Sequence, residues 1–189
     1  FPSINKLLVT GFSAGGVASH AAYYFARRTL VPTKGYMLND SGPTFPAPNS
    51  TYKSRPLHDL IKTSWNLTSV YSQLPAPFNQ NDFGTMTDMI AQQFPTDSLA
   101  YTGYSSDYNF SRFSYERFYP NMTQATVLAY WRADQTNFIN KMKTYSNFSY
   151  HVPWHRPINV SHCSTIVTFM GSHACSSIRK KYWYEIPWP

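Results

Sequence analysis

The sequence contains few acidic residues. Its 189 residues include nine Asp and Glu against 16 Lys and Arg, so the formal net charge is +7 when histidine is neutral. Apart from the run at 179–181, the basic residues are scattered along the chain. This is more typical of a solvated surface than of a nucleic-acid patch, so we expect no nucleic-acid partner. A basic surface would suit an acidic polysaccharide substrate.

Long apolar runs are also absent. No stretch approaches the about 18 apolar residues that a membrane-spanning helix needs, so we expect no transmembrane segment. Residues 1–6 do not have the pattern of a signal peptide. The chain has no internal repeat, and 189 residues are enough for one domain with a hydrophobic core. We therefore expect a single domain over residues 1–189.

Cysteine is rare as well, with only Cys163 and Cys175. Both are compatible with an oxidising compartment. The apolar run between them predicts a strand whose ends lie about 20 Å apart. The two thiols can therefore pair with each other only if the chain doubles back; otherwise each takes another partner or stays reduced.

Asparagine, in contrast, has an unusual context. Seven of the twelve asparagines begin an Asn-x-Ser/Thr sequon, the acceptor for N-glycosylation. Asn39 ends a predicted apolar strand, so we interpret it as a chance match. The excess predicts a glycosylated, secreted protein. The expected glycosylation sites are Asn49, Asn66, Asn109, Asn121, Asn147 and Asn159.

The most informative stretch is a Gly-x-Ser-x-Gly motif at residues 11–15, between an apolar run and a helical pattern. Strand, tight turn with a serine, and helix form the nucleophile elbow of α/β-hydrolases. We expect Ser13 to be strained at the tip of the turn, flanked by Gly11 and Gly15 because side chains there would collide with neighbouring backbone. The Ala14 N–H would then face a developing oxyanion.

Hydrophobic periodicity predicts an α/β fold with a mainly parallel sheet, flanking helices and right-handed crossovers. The predicted strands are 7–10, 35–39, 125–131 and 164–170. The predicted helices are 16–30, 58–67, 79–93 and 136–144. Residues 43–120 are rich in Pro and aromatic side chains, and we interpret them as a cap inserted between two core strands.

In α/β-hydrolases the catalytic residues follow the chain order Ser, acid, His, each after a different strand. Ser13, Asp134 and His173 follow predicted strands in that order. We therefore predict Ser13 as nucleophile, His173 as general base and Asp134 as its acid partner. Asp40 is the rival acid, and it is otherwise expected to line the site together with Gly15.

Four rival histidines are less favoured by this pattern. Two lie in a predicted loop, one lies within the helix behind the serine, and one precedes its predicted strand at the wrong end of the sheet. These are His151, His155, His20 and His162. The pattern implies neither a cofactor nor a metal ion.

These motifs resemble the pectin acetylesterase family, which also includes the Notum carboxylesterases. The resemblance rests on Gly-Phe-Ser-Ala-Gly-Gly at 11–16, Asp-Ser-Gly at 40–42, Tyr-x-x-x-Asp-Gln at 130–135 and Gly-Ser-His at 171–173. It implies the C-terminal part of an α/β-hydrolase fold. It also implies serine-dependent hydrolysis of O-acetyl esters on a carbohydrate or, in the Notum branch, of a lipid acyl group on a secreted protein.

The sequence departs from that family in one respect. Family members carry an N-terminal half with a glycine-rich loop that completes the oxyanion hole. Residues 1–6 contain no such loop, so only the Ala14 N–H is expected as a donor. We therefore expect that this half is missing or that a partner chain supplies it. A catalytically silent, glycosylated structural or binding protein on the same fold is the alternative function.

Overall fold

The computed structural model describes residues 3–48, 52–156 and 158–165. Helices and strands alternate along much of this chain. The elements in order are β1 (Lys6–Phe12), α1 (Ala14–Leu30), β2 (Lys34–Asp40), α2 (Arg55–Ser64), α3 (Thr68–Tyr71), α4 (Thr85–Gln93), β3 (Ser98–Thr102), α5 (Tyr108–Tyr115), α6 (Gln124–Met142) and β4 (Phe148–His151). A short 3-10 turn follows at Ile158–Ser161.

The four strands form one parallel sheet in the order β1-β2-β3-β4. In the register of the sheet, Phe12 pairs with Asp40, Asp40 with Thr102, and Thr102 with His151. The carboxyl ends of all four strands therefore meet at one edge. This is an α/β arrangement, as the sequence predicted, and the segments that follow the strands can share a site at that edge.

The predicted β1–α1–β2 unit is confirmed. One face of α1 is buried, with Val17, His20, Tyr23 and Tyr24 at helical spacing. At its far end, Arg27 donates to the buried carboxylate of Asp97 at 2.8 Å. That carboxylate also accepts from the Tyr23 hydroxyl at 2.8 Å and from the Gly35 N–H at 2.9 Å, so it joins α1 to the starts of β2 and β3.

The predicted strand at 125–131 is wrong, because these residues form the first half of α6. Thr123 caps this helix by accepting from the Thr126 N–H at 3.2 Å. Buried side chains then recur three or four residues apart over the whole element, which is the helical period. They include Val127, Trp131, Asp134, Phe138 and Met142. The apolar run is therefore the first part of a helix, not a strand.

The segment 43–120, predicted as a cap between two core strands, itself contains a core strand. This is β3, which pairs with both β2 and β4. The predicted helices 58–67 and 79–93 correspond to α2 and α4 with shifted ends. Residues 166–170 of the last predicted strand lie outside the described residues; β4 was not predicted. No helix in the described part of the chain is long and apolar enough to cross a membrane.

Candidate active site

Ser13 lies in the turn between β1 and α1, as predicted. Its backbone adopts φ 55° and ψ −124°, a strained conformation for a residue with a side chain. Its N–H donates to the Asp40 carbonyl at 2.8 Å, and its carbonyl accepts from the Gly16 N–H at 2.9 Å. The serine is therefore held by main-chain bonds at the carboxyl edge of the sheet, between two strand ends.

The glycines around this serine differ in the space that a side chain would have. A Cβ on Gly11 would lie 2.5 Å from the Gly15 carbonyl carbon and closer still to its oxygen, so strand and helix touch here. A Cβ on Gly15 would meet nothing within 4 Å, so the predicted collision at Gly15 is wrong. The crowded helix position is Gly16, where a Cβ would lie 2.5 Å from the Asn39 side-chain oxygen.

The Ser13 side chain is not used to cap α1, and its hydroxyl has no hydrogen-bond partner among the described residues. It is half-buried, and the Ala14 next to it is exposed. As the first residue of α1, Ala14 has an N–H with no partner inside the helix. A serine hydroxyl and a backbone donor thus stand side by side at the positive end of a helix dipole.

Asp134, the predicted acid, does not follow a strand but lies within α6. Its carboxylate accepts from the Tyr115 hydroxyl at 2.9 Å and from the Ser54 N–H at 3.0 Å, and burial raises the pKa of this carboxyl. It joins α6 to α5 and to the start of α2. His173 lies outside the described residues, so its pairing with Asp134 stays a prediction.

The histidine–carboxylate pair that the structure does describe is His162 with Asp107. Nδ1 of His162 lies 2.8 Å from Oδ2 of Asp107, and both side chains are buried. The other Asp107 oxygen caps α5 by accepting from the Phe110 N–H at 2.9 Å. Burial raises the pKa of the Asp107 carboxyl, while the bonds to His162 and Phe110 oppose that rise.

This pair lies at the same sheet edge as Ser13. Asp107 comes after the end of β3, and His162 comes after the end of β4. The segment after His162 is attached to the end of β2, because the Cys163 N–H donates to Ser41 Oγ at 3.1 Å. The expectation that His162 occupies the wrong end of the sheet is therefore wrong.

Asp40, the predicted rival acid and site-lining residue, is fully buried. Its two carboxylate oxygens accept from the Ser164 N–H at 2.9 Å and the Thr165 N–H at 2.7 Å. Its carbonyl accepts from Ser13. Asp40 thus connects the serine turn to the segment that carries His162. Its carboxylate oxygens are used as acceptors for the backbone of that segment.

Backbone strain is concentrated in the same region. Eight non-glycine residues of the described chain have positive φ, and five of them belong to this edge. Such strain persists only where the surrounding contacts over-determine it, and it clusters at functional sites. The five are Ser13, Ser41, Val160, Ser161 and Cys163. The last three surround His162 in the sequence, which favours a functional role for that histidine.

The neighbouring alternatives are poor proton acceptors or nucleophiles. His20 is fully buried, its Nδ1 lies 2.9 Å from Thr44 Oγ1, and burial lowers its pKa to about 3. His58 is buried against Phe83, and burial lowers its pKa to about 3 as well. Burial raises the pKa of Cys163 to about 12, so its thiol stays protonated. His20, His58 and Cys163 are therefore poorly suited to proton transfer or attack near neutral pH.

Sequence reasoning missed Asp107 and set His162 aside. Two features of the sequence could have indicated Asp107. It directly precedes the helix α5, where Asp is a common capping residue, and it lies five residues after the short stretch 98–102. That stretch is β3, which was assigned to the cap, so no strand end was expected there. The signal for His162 would have been β4, whose four residues Phe-Ser-Tyr-His are too short to stand out.

The described residues include a surface cavity away from this site and no cluster of metal ligands. Within residues 3–48, 52–156 and 158–165, no group of three His, Cys, Asp or Glu side chains could hold a metal ion. A cavity of about 380 Å³ lies elsewhere, against Pro46, Asp82, Asp88 and Lys141.

The structure defines an α/β protein with a strained serine turn and a buried histidine–carboxylate pair at one edge of a parallel sheet. Comparisons with protein-family models, with curated proteins and with solved structures found no match for this chain.

Proposed function

We propose that the chain is a serine ester hydrolase in which Ser13, His162 and Asp107 form the catalytic triad. The observation that carries this proposal is the buried 2.8 Å bond between His162 Nδ1 and Asp107 Oδ2, at the edge where Ser13 is strained. The chain order Ser, Asp, His agrees with the α/β-hydrolase arrangement. This triad keeps the predicted nucleophile and replaces Asp134 and His173.

In this mechanism Nε2 of His162 takes the proton of Ser13 Oγ as the oxygen attacks the ester carbonyl. The resulting oxyanion accepts a hydrogen bond from the Ala14 N–H. His162 returns the proton to the leaving alcohol, which leaves an acyl group on Ser13. Water, deprotonated by His162, then attacks the acyl carbonyl, and the acid is released as His162 returns the proton to Ser13 Oγ. Asp107 holds the Nδ1–H of His162 and stabilises the imidazolium.

The contact between Ser13 and His162 is absent from the hydrogen bonds of the described residues. Catalytic hydrogen bonds are often long in ligand-free structures and tighten only when substrate is bound. The proposal therefore requires the His162 segment to approach the serine turn when substrate binds. Both residues lie beyond the carboxyl ends of strands of the same sheet.

The proposed substrates are O-acetyl esters on a carbohydrate, as in pectin acetylesterases, and the proposed location is extracellular. Both follow from the sequence motifs, and the net charge of +7 would favour binding of an acidic polysaccharide. A Notum-like lipid carboxylesterase would use the same triad. Release of acetate from acetylated pectin, compared with release of octanoate from an octanoyl ester, separates the two.

The proposal is tested by a fluorophosphonate probe, which reacts covalently only with an activated serine. We expect stoichiometric labelling of Ser13 in the folded chain and no labelling of Ser13→Ala. Ser72→Ala is the matched control, because Ser72 is an exposed serine whose hydroxyl donates only to the Ser69 carbonyl. A folded wild-type chain that stays unlabelled would favour the catalytically silent alternative.

Secretion leads to a prediction about individual sequons. Asn66 and Asn121 are exposed and sit in turns with positive φ, so both can carry a glycan. Asn147 is unsuitable, because its Nδ2 donates to the carbonyls of Ala91 at 3.2 Å and Phe94 at 3.0 Å. A glycan would replace one of those two hydrogens.

Peptide mapping of the protein secreted from eukaryotic cells measures which of these asparagines carry a glycan. We expect glycan on Asn66 and Asn121 and an unmodified Asn147. Asn39 should also be unmodified, because it is buried and both ends of its amide bond Gly42. Complete glycosylation of Asn147 in folded protein would contradict the described packing around β4.

A further inference from the structure

We propose that His155 and Ser161 are positioning residues that hold the general base against its acid partner. The inference rests on the proposed triad. It concerns two segments, the acid loop at 103–107 and the base loop formed by 152–156 and 158–162. Each follows one of two neighbouring parallel strands, β3 and β4, so the distance between them sets the geometry of the catalytic pair.

The two loops remain paired beyond the ends of their strands. The Ser105 N–H donates to the Pro153 carbonyl at 3.0 Å, and the Ser106 N–H donates to the Trp154 carbonyl at 3.1 Å. This main-chain pairing brings Ser106, the residue before the acid, next to His155. It fixes the start of the base loop but not its end, where His162 lies.

Nδ1 of His155 lies between the hydroxyls of Ser106 in the acid loop and Ser161 in the base loop. Nδ1 of His155 lies 2.8 Å from Ser161 Oγ and 3.2 Å from Ser106 Oγ, and the two hydroxyl oxygens are 3.4 Å apart. Ser106 directly precedes Asp107, and Ser161 directly precedes His162. The residue before the acid and the residue before the base therefore both contact Nδ1 of His155, with the shorter contact to Ser161, and the Ser106 hydroxyl donates to the Trp154 carbonyl at 2.6 Å.

Ser161 is the centre of this bridge. Its hydroxyl is fully buried, accepts from the Arg156 N–H at 2.8 Å and lies 2.9 Å from the Arg156 carbonyl. If Nδ1 of His155 carries the proton, the hydroxyl accepts twice and donates once, so its capacity is used completely. These bonds hold Ser161 at φ 57°, a conformation that needs such support.

Arg156 also holds the backbone of the turn that carries His162. It is buried against Tyr104, with its guanidinium 5.0 Å from the ring centre, and its Nη2 donates to the carbonyls of His162 and Cys163 at 3.0 and 2.6 Å. The backbone on both sides of the catalytic histidine is thus fixed by side chains. Loss of the Ser161 bridge would let the imidazole move relative to Asp107 without removing any group that touches substrate.

His155 is the better residue to change, because it is exposed and its replacement should not unfold the chain. We expect His155→Ala and Ser161→Ala to lower kcat for 4-nitrophenyl acetate and the rate of fluorophosphonate labelling by about 10- to 100-fold, since a displacement of about 1 Å can cost 100-fold. KM should stay unchanged. His155→Asn should restore most of the rate, because an Asn amide reaches the position of Nδ1.

Ser114→Ala is the matched control for Ser161→Ala. Ser114 is a buried serine whose hydroxyl likewise bonds a main-chain carbonyl, that of Phe110 at 3.0 Å, and its loss should leave the labelling rate unchanged. A purely structural role of His155 would lower the melting temperature of His155→Ala and would leave kcat per folded molecule as in wild type.

The proton NMR spectrum supplies a readout that is independent of turnover. The Nδ1–H of His162 bonded to Asp107 should give a low-field resonance, assigned by its loss in His162→Ala. We expect it in wild type and in His155→Asn, and we expect it to be lost to exchange in His155→Ala. Retention of both the resonance and the rate in His155→Ala and Ser161→Ala would overturn the inference. A wild-type chain with the resonance but no labelling would overturn the proposed function alone, and the His155→Ala spectrum would still decide the positioning role.

Discussion

Asp107→Asn should lower kcat for ester hydrolysis by about 10⁴-fold, and His162→Ala should lower it by about 10⁶-fold. The amide that replaces the Asp107 carboxylate would leave the geometry intact but would favour the wrong tautomer of His162 and could not stabilise the imidazolium. Removal of the imidazole would leave Ser13 without a base. Steady-state hydrolysis of 4-nitrophenyl acetate, expressed per folded molecule, measures both losses.

Asp134→Asn and His173→Ala are the companion variants. Asp134 accepts from Tyr115 and Ser54, so Asp134→Asn should cost stability, of order 1–3 kcal/mol, while kcat of the folded fraction stays near wild type. The opposite ranking, with a loss of about 10⁴-fold in Asp134→Asn and a small one in Asp107→Asn, would restore the sequence-based triad. The two pairs of variants therefore decide between Asp107 with His162 and Asp134 with His173.

The sequence could predict the β1–α1–β2 unit because its signals are local. An apolar strand, a glycine-flanked serine and a helix with Arg27 and Arg28 in its last turn each depend on a few neighbouring residues. The turn at Ser13 could be predicted for the same reason, since the close approach of strand and helix there depends on Gly11 and Gly16. The parallel pairing of β1 and β2 then followed from the helix that connects them.

The remaining strands could not be predicted in the same way. β3 and β4 contain only five and four residues, and a parallel strand is stabilised by partners that are distant in sequence. The apolar run at the start of α6 resembles a strand when it is taken alone, because the helical spacing of buried side chains becomes clear only when Asp134 and Phe138 are included. Because the start of α6 was assigned to the sheet, Asp134 was expected just after a strand, whereas it lies within the helix.

Gly11→Ala should lower the free energy of unfolding by about 3 kcal/mol, which corresponds to a fall in melting temperature of about 6–12 °C for a chain of this size. The new methyl group would lie 2.5 Å from the Gly15 carbonyl carbon. That atom belongs to the backbone of α1, so no side chain can rotate away. Strand and helix must separate, and the Ser13 turn between them must move. Thermal unfolding followed by circular dichroism measures the shift.

Gly15→Ala is the matched control, because it adds the same methyl group four residues later on the other side of Ser13. A Cβ there meets nothing within 4 Å, and alanine favours a helix over glycine by up to about 1 kcal/mol. Its melting temperature should therefore equal or exceed that of wild type. Equal destabilisation by the two variants would contradict the close approach of β1 to α1 at Gly11. A large fall for Gly11→Ala together with lost fluorophosphonate labelling would show that the same contact that joins strand to helix also holds Ser13 in its strained conformation.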